Sequence, residues 1–306
     1  MNNAVPLNVD EFPSGSTVRR ARASAAKNVD ATIGGHAEAL STQLQSISAA
    51  LFPPTAQKKL RRFTSGEVAR LIGVNDSRIR QVALAGEGPQ PELSPNGRRL
   101  YTLGQINQLR AHFAQIARGV REARDYLPHR QSSDHLQVIA VTNFKGGSGK
   151  TTTAAHLSQY FALRGYRVLA IDLDPQASLS ALFGLMPEVE VGPNETLYGA
   201  IRYDRDRRPL SEILRQTYFD GLDIVPGNLE LMEFEHETPR ALIAGMRRPE
   251  DMFFARVAQA LDEIAERYDL VIIDCPPQLG YLTLAGLCAA TGNSSPFIRK
   301  CLMWHQ

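Results

Sequence analysis

The sequence predicts an α/β fold, a parallel sheet with helices on its faces, preceded by a small all-α winged helix-turn-helix module. Three observations carry this expectation. From residue 137 onward, continuous apolar segments alternate with helical ones, as strands buried on both faces of a parallel sheet require. Residues 63–116 show short helical periods instead, broken by Gly73 and by an Asn96-Gly97 turn. Charge divides in the same way: residues 58–130 hold 14 Lys and Arg against 6 Asp and Glu, leaving 20 basic and 26 acidic residues elsewhere. A basic module beside a mildly acidic one suits a nucleic-acid-binding part joined to an enzyme-like part, and equally a solvated Arg-rich surface.

The chain has 306 residues, 43% hydrophobic and 22% charged. At ~150 residues per domain this suggests about two domains. The composition excludes a collagen-like chain, a coiled-coil rod and a wholly disordered one. No apolar run reaches the ~18 residues needed to cross a bilayer, and the first thirty residues lack the apolar centre of a secretory signal. Cys275, Cys288 and Cys301 leave an odd thiol and show no metal-ligand spacing, which leads to the expectation of a reduced, cytoplasmic protein.

Along the chain, residues 1–35 are polar and small and read as a flexible arm. In 36–54, Leu40, Leu44, Ile47 and Leu51 recur at helical spacing until Pro53 and Pro54 end the helix. That stripe can pack on the neighbouring domain or serve self-association. In the module 58–118, Thr64 or Ser65 can cap a helix over 66–72, with Glu67 in its first turn. Gly73 permits a left-handed exit, and Asn75, Asp76 and Ser77 cap a second helix over 78–84. Val68, Leu71 and Ile72 give the first helix an apolar side, and Ile79 and Val82 anchor the second. Ser77, Arg78, Arg80 and Gln81 open that second helix, where side chains reach phosphates and base edges of a major groove. The segment 92–101 reads as a hairpin with Arg98 and Arg99 after its tip, a basic wing suited to a phosphate backbone. Thr102 then caps a third helix whose buried stripe is Leu103, Ile106, Leu109 and Phe113. A small protein-interaction domain is the competing reading of this module. Residues 119–135 read as a linker.

Within 136–291, residues 137–142 read as a buried strand, 150–164 as a helix left through Gly165, and 167–173 as a second strand, with further strands at Leu222–Val225 and 270–273. Between the first strand and helix lies Asn143-Phe-Lys-Gly-Gly-Ser-Gly-Lys-Thr-Thr152. Gly146, Gly147, Ser148 and Gly149 let backbone amides converge on phosphate oxygens, and the helix N-terminus adds a favourable dipole. Lys150 would neutralise the β- and γ-phosphates, the Thr151 hydroxyl would hold Mg²⁺, and Thr152 completes the loop. The usual spacing asks for Gly at 144, where this chain has Phe144; it carries Lys145 directly before the glycines instead.

Lys145-Gly-Gly-Ser-Gly-Lys-Thr-Thr152 resembles the deviant Walker A motif of the ParA/MinD-type P-loop NTPases. Leu169-Ala-Ile-Asp-Leu-Asp-Pro-Gln176 resembles that family's second motif, and Val271-Ile-Ile-Asp-Cys-Pro-Pro277 its Walker B. The helical module, through Phe63-Thr-Ser-Gly-Glu-Val-Ala-Arg-Leu-Ile-Gly73 and Gly97-Arg-Arg-Leu-Tyr-Thr-Leu103, is similar to that of the larger partition ATPases of the RepA type from replication-partition operons. The resemblance implies an ATP- and Mg²⁺-dependent partition ATPase that dimerises, binds operator and nonspecific DNA, represses its own operon and acts with a centromere-binding ParB/RepB-type partner. By the same resemblance Lys145 is the signature lysine that reaches the partner protomer's phosphates, and Lys150 and Asp174 join it in catalysis. Asp174 orients the attacking water, Thr151 and Asp274 hold the metal, and Asp172 supports it. Cys275 reads as packing. The competing expectation is a repressor whose nucleotide-binding part is a non-hydrolysing dimerisation switch. A septum-positioning ATPase on membranes is disfavoured, because a DNA-reading module is present.

After Thr291 the resemblance stops. A frame displaced by two bases can read Ile-His-Pro-Gln-Met-Leu-Asp-Val-Ala-Ser across 296–306, like the family's expected continuation. This leads to the expectation of a frameshift near 292, an aberrant tail over 292–306, an incomplete sheet without its adenine-contacting residues, an exposed edge at the strand 271–273, and weakened ATP binding.

Overall fold

The computed structural model describes residues 29–51, 58–131, 133–245 and 251–294. The chain divides into two units, Met1–Gln57 and Lys58–Gln306. In the first, the described residues form one helix, α1 (Val29–Leu51), which begins inside the stretch expected to be an arm. Leu40 and Ile47 on its apolar stripe are 59% and 53% exposed. Pro53, Pro54 and residues 1–28 lie outside the described residues.

The second unit opens with β1 (Phe63–Thr64), α2 (Ser65–Ile72), α3 (Asp76–Ala85), β2 (Glu92–Leu93), β3 (Arg99–Tyr101), α4 (Leu103–Gln115) and α5 (Val120–Tyr126). The module is therefore not all-α. Its three strands form an antiparallel sheet in the order β1-β3-β2. Phe63 lies opposite Tyr101 and both are buried, so the residues just before α2 are recruited to β3 by a shared apolar contact. Thr64 and Glu67 make a reciprocal cap on α2. The Arg61 guanidinium, followed by the Thr64 amide, holds the Glu67 carboxyl down to about 2. Gly73 and Gly86 leave α2 and α3 at φ 85° and 72°, the left-handed exit that favours glycine. Thr102 and Gln105 cap α4 in the same reciprocal way, and Leu103, Ile106, Leu109 and Phe113 are buried as expected. The expected linker contains α5, whose Tyr126 is buried against Phe113 with ring centroids 5.6 Å apart.

The rest of the chain gives β4 (Gln137–Val141), α6 (Lys150–Leu163), β5 (Val168–Asp172), α7 (Ser178–Leu182), α8 (Pro187–Glu190), α9 (Leu197–Ile201), β6 (Arg215–Gln216) and β7 (Leu222–Val225). Then follow α10 (Met232–Ile243), α11 (Phe253–Asp262), β8 (Leu270–Asp274), α12 (Tyr281–Ala289) and β9 (Gly292–Ser294). The six strands run in the order β6-β7-β5-β8-β4-β9. Every neighbouring pair is parallel except β6 with β7. The expectation that residues 271–273 form an exposed edge is overturned: β8 sits between β5 and β4, paired on both sides. Residues 292–294, expected as aberrant tail, add a parallel strand beside β4; residues 295–306 lie outside the described residues.

Alternation along β8 sends Leu270 and Ile272 to one core and Val271 and Ile273 to the other. The first core also holds Ile106, Leu109 and Phe113 of α4 with Ala154 and Ala162 of α6, so the helical module and one face of the sheet share apolar interior. No described helix is long and apolar enough to cross a membrane.

Just before β8, Asp269 is 5% exposed. It accepts the Arg130 amide at 2.8 Å, the Arg167 amide at 2.8 Å and the Arg167 guanidinium at 2.6 Å. Burial alone would raise its pKa, but the Arg167 bonds outweigh it and leave the carboxyl below its ordinary value. Asp269→Ala leaves three donors without their acceptor and is expected to cost about 3 kcal/mol in urea unfolding at pH 7. The stability from a depressed carboxyl is present above the unfolded value and lost as pH falls, so the gap between wild type and variant narrows below the ordinary value of 3.8. A gap unchanged from pH 7 to pH 3 contradicts this.

Candidate functional site

β4, β5 and β8 are parallel neighbours in register, with Val141 and Asp172 each opposite Asp274. Their carboxyl ends therefore deliver three loops to one crevice, the usual place for a site in an open α/β sheet. The loop after β4 reaches α6 through Gly147 at φ 69° and Gly149 at φ 80°. A Cβ built at Gly146, Gly147 or Gly149 meets nothing within 4 Å, so the glycines line an open cradle facing amides and the α6 N-terminus. Residues 146–152, Asp174, Ser178, Ala181, Leu182 and Pro277 line a cleft of about 660 Å³. Lys150 and Ser148 are buried at its base, while Phe144, Lys145 and Thr152 are exposed on its rim. The Lys145 amide donates to Asn143 Oδ1 at 2.9 Å.

The two strand-end aspartates differ in their environment. Asp172 is fully buried and satisfied: its Oδ2 accepts the Ser180 amide and hydroxyl, both at 2.8 Å, and its Oδ1 the Asp174 amide at 3.2 Å. Burial raises its pKa to about 6 against those bonds. Asp274 is equally buried, yet among the described residues neither of its oxygens has a hydrogen-bond partner by standard geometry. Burial pushes it up to about 7; the neighbouring Thr151 hydroxyl and Lys150 ammonium act downward, the charges of Asp172 and Asp174 upward. An orphaned carboxylate beside a threonine hydroxyl, with the Ser148 hydroxyl also unpartnered, fits a hard cation that keeps water and phosphate oxygens in its shell. Asp174 is half-buried on a turn: its Oδ1 accepts the Gln176 amide and its carbonyl the Ala177 amide. Cys275 is buried with its thiol pushed up to about 12 by burial, so it packs and does not react.

A family model described as an AAA domain, AAA_31, matches residues 136–293. The chain belongs to that family. Among its relatives, a Rhizobium rhizogenes protein provisionally named replication protein A is 56% identical over 84% of this chain and 62% of its own length. Protein SopA of Escherichia coli is 34% identical over 78% of this chain and 58% of its own length. The chain thus spans about three fifths of the length of these relatives. A solved structure described as a partition protein shares the fold, with a TM-score of 0.56 at 23% identity over 87% of this chain and 70% of that one.

The groups expected to face nucleic acid separate into two sets. Ser77 and Gln81 on α3 and Arg98 between β2 and β3 are exposed, and Arg99 is half-buried. Thr64, Ser65, Gly66, Arg80, Arg98 and Arg99 all line a cavity of about 370 Å³ at the start of α2 and the β2–β3 turn, with Asp76 also in its wall and paired to Arg80. Arg78 departs from the expectation. Its guanidinium lies over the Phe113 ring at 5.0 Å and donates to the Tyr126 hydroxyl at 3.2 Å, because the aromatic face of α4 and α5 holds a cation better than open water does. Ser180 and Gly227 were not singled out from sequence. The Gly227 amide donates to Ser180 Oγ at 2.9 Å, and a Cβ at Gly227 would lie 2.9 Å from the Asp174 carbonyl and 3.0 Å from Asp172 Cγ. Only a glycine lets the loop after β7 approach the two acids this closely.

For a carboxyl raised in the folded state, the native penalty is absent below its ordinary value of 3.8 and grows as pH rises through about 7. Asp274→Asn removes that penalty. The variant, free of nucleotide and metal, is expected to melt several degrees above wild type at pH 8 and at the same temperature at pH 4. Equal melting temperatures at pH 8 contradict the uncompensated burial of Asp274.

Proposed function

We propose that this chain is a plasmid or secondary-replicon partition ATPase. It binds ATP with Mg²⁺, dimerises, binds operator and nonspecific DNA through a winged helix-turn-helix formed by 58–118, and represses its own operon. A centromere-binding ParB/RepB-type protein is its partner, and its place is the cytoplasm, on nucleoid or plasmid. Domain by domain, 136–291 is the ATPase core and α1 a self-association helix. One observation carries the reading: the glycine cradle, Asp174 and Asp274 meet at three adjacent strand ends. Its similarity to proteins named replication protein A and chromosome partitioning protein ParA supports the biological setting.

Phosphoryl transfer asks a protein chiefly to position groups and neutralise developing charge. Gly146, Gly147, Ser148 and Gly149 present amides to the polyphosphate, and Lys150 places its ammonium at the base of the cradle. Thr151 and Asp274 would hold Mg²⁺, with Asp172 behind them; bound there, the ion neutralises phosphate oxygens. Asp174, on its own turn at the cleft wall, orients water. Exposed on the rim, Lys145 is free of the protomer's own core and suited to a second protomer's nucleotide. On the other module, Ser77, Gln81 and the Arg80, Arg98 and Arg99 cavity take phosphate and base edges.

Turnover separates the roles. Asp174→Ala is expected to keep ATP affinity within about threefold while hydrolysis falls about 100-fold or more, whereas Lys150→Ala loses ATP binding itself. Hydrolysis that survives Asp174→Ala excludes that residue as the water-orienting group. For DNA, Arg98→Ala and Arg99→Ala should each lower the slope of log affinity against log salt by about 1. Fluorescence anisotropy with a fragment of the operon's upstream region measures it, and unchanged slopes contradict the wing as a phosphate contact.

A further inference from the structure

Arg110 lies on α4 at the junction of the helical module and the sheet, 1% exposed. Its guanidinium donates to the Leu163 carbonyl at 2.7 Å, to the Leu71 carbonyl at 3.0 Å and to Asn107 Oδ1 at 2.8 Å. Leu163 is the last residue of α6 and Leu71 stands in the last turn of α2. Two helix C-termini from different modules therefore converge on one buried cation, each presenting the negative end of its dipole. Burial lowers its pKa only to about 10, so the charge persists at neutral pH. Gly165, at φ 93°, is pressed against it: a Cβ there would meet Arg110 Cδ at 2.8 Å.

The other end of α6 is the phosphate cradle. Fourteen residues make a rod about 21 Å long, with Lys150 and Thr151 in its first turn and Arg110 on its last carbonyl. A second joint, exposed and on one helix end, also holds carbonyls through a cation. Lys58 Nζ donates to the Ala181 and Leu182 carbonyls at 3.2 and 2.9 Å, which end α7. Ser178, Ala181 and Leu182 of α7 line the cleft, and its Ser180 holds Asp172.

We propose that Arg110 and Lys58 are positioning residues that transmit nucleotide occupancy from the cleft to the α2–α3 pair. A buried guanidinium cannot trade its carbonyls for water cheaply, so a displacement of α6 carries Arg110 and α2 with it. The inference rests on the nucleotide reading of the cleft and not on the DNA reading. Linkage is reciprocal: whatever binds α3 shifts nucleotide affinity by the factor with which nucleotide shifts its own.

Hydrogen exchange on the full chain, with and without ADP and Mg²⁺, reads the effect directly, and calorimetry reports ADP affinity in the same samples. In wild type, ADP is expected to slow exchange at the amides of 68–72 at least threefold. Arg110→Met and Lys58→Met should bind ADP within threefold of wild type yet lose half or more of that slowing. Arg110→Lys should not restore it, since a lysine ammonium falls short of the one guanidinium nitrogen that holds both carbonyls and has no second nitrogen for Asn107 Oδ1. A merely structural role would speed exchange with and without ADP alike and leave their difference intact, and that result overturns the proposal. So does a wild type that binds ADP with no response in α2. Should Arg110→Met lose its cooperative melt, Lys58→Met, made at an exposed side chain, decides alone. Absence of ADP heat in wild type overturns the nucleotide reading as well, and calorimetry distinguishes that from a failure of coupling.

Discussion

Two carboxylates stand side by side at the ends of β5 and β8, both withdrawn from water. Burial of this kind is costly unless other groups answer the charge. Asp172 is answered from within the protein, by Ser180 and the Asp174 amide. Asp274 has the Thr151 hydroxyl and Lys150 ammonium nearby but no hydrogen bond of standard geometry among the described residues, and that asymmetry organises the crevice. The satisfied acid pins α7 and the Asp174 turn in place. The unsatisfied one is left to face Lys150, Thr151 and whatever cation arrives with a polyphosphate. Of the open glycines above them, Gly147 and Gly149 answer to a left-handed backbone, while Gly146 has neither a positive φ nor a neighbour within 4 Å and leaves room for a ligand close to the backbone.

The glycine-lined cleft was legible in the sequence because most of its residues are local. Glycines at 146, 147 and 149, then Lys150 and Thr151, act as consecutive residues at one strand-to-helix junction. The four longer strands of the central sheet, β4, β5, β7 and β8, were visible for a similar reason, as largely apolar runs. The order of strands across the sheet was not, since β8 enters between β4 and β5 by a choice of crossover that no local pattern encodes, and an edge was expected where the interior lies. The short strands β1, β6 and β9 carry too few residues for any period to show.

Arginines were the other source of error. Arg78 was read by its position at the head of a helix, while the aromatic pair Phe113 and Tyr126, which captures it, lies more than thirty residues away. Arg110 was overlooked although it falls four residues after Ile106 and three before Phe113, on the buried stripe of α4. A charged residue at such a spacing signals either an error in the helix or a buried partner. Here it has two helix ends as partners, and the helical module shares apolar core with the sheet instead of standing apart from it. That arrangement ties the basic module to the helix that begins at the crevice.

The central claim is that an uncompensated acid and an open amide cradle at three strand ends form a polyphosphate–metal site. Isothermal titration of the purified 306-residue chain with ATP, in the presence and absence of Mg²⁺, tests it most directly. The account predicts one site per chain, with affinity at least tenfold higher when Mg²⁺ is present and that gain abolished in Asp274→Asn. Heat that is absent in a folded sample, or an affinity indifferent to both Mg²⁺ and Asp274, contradicts it.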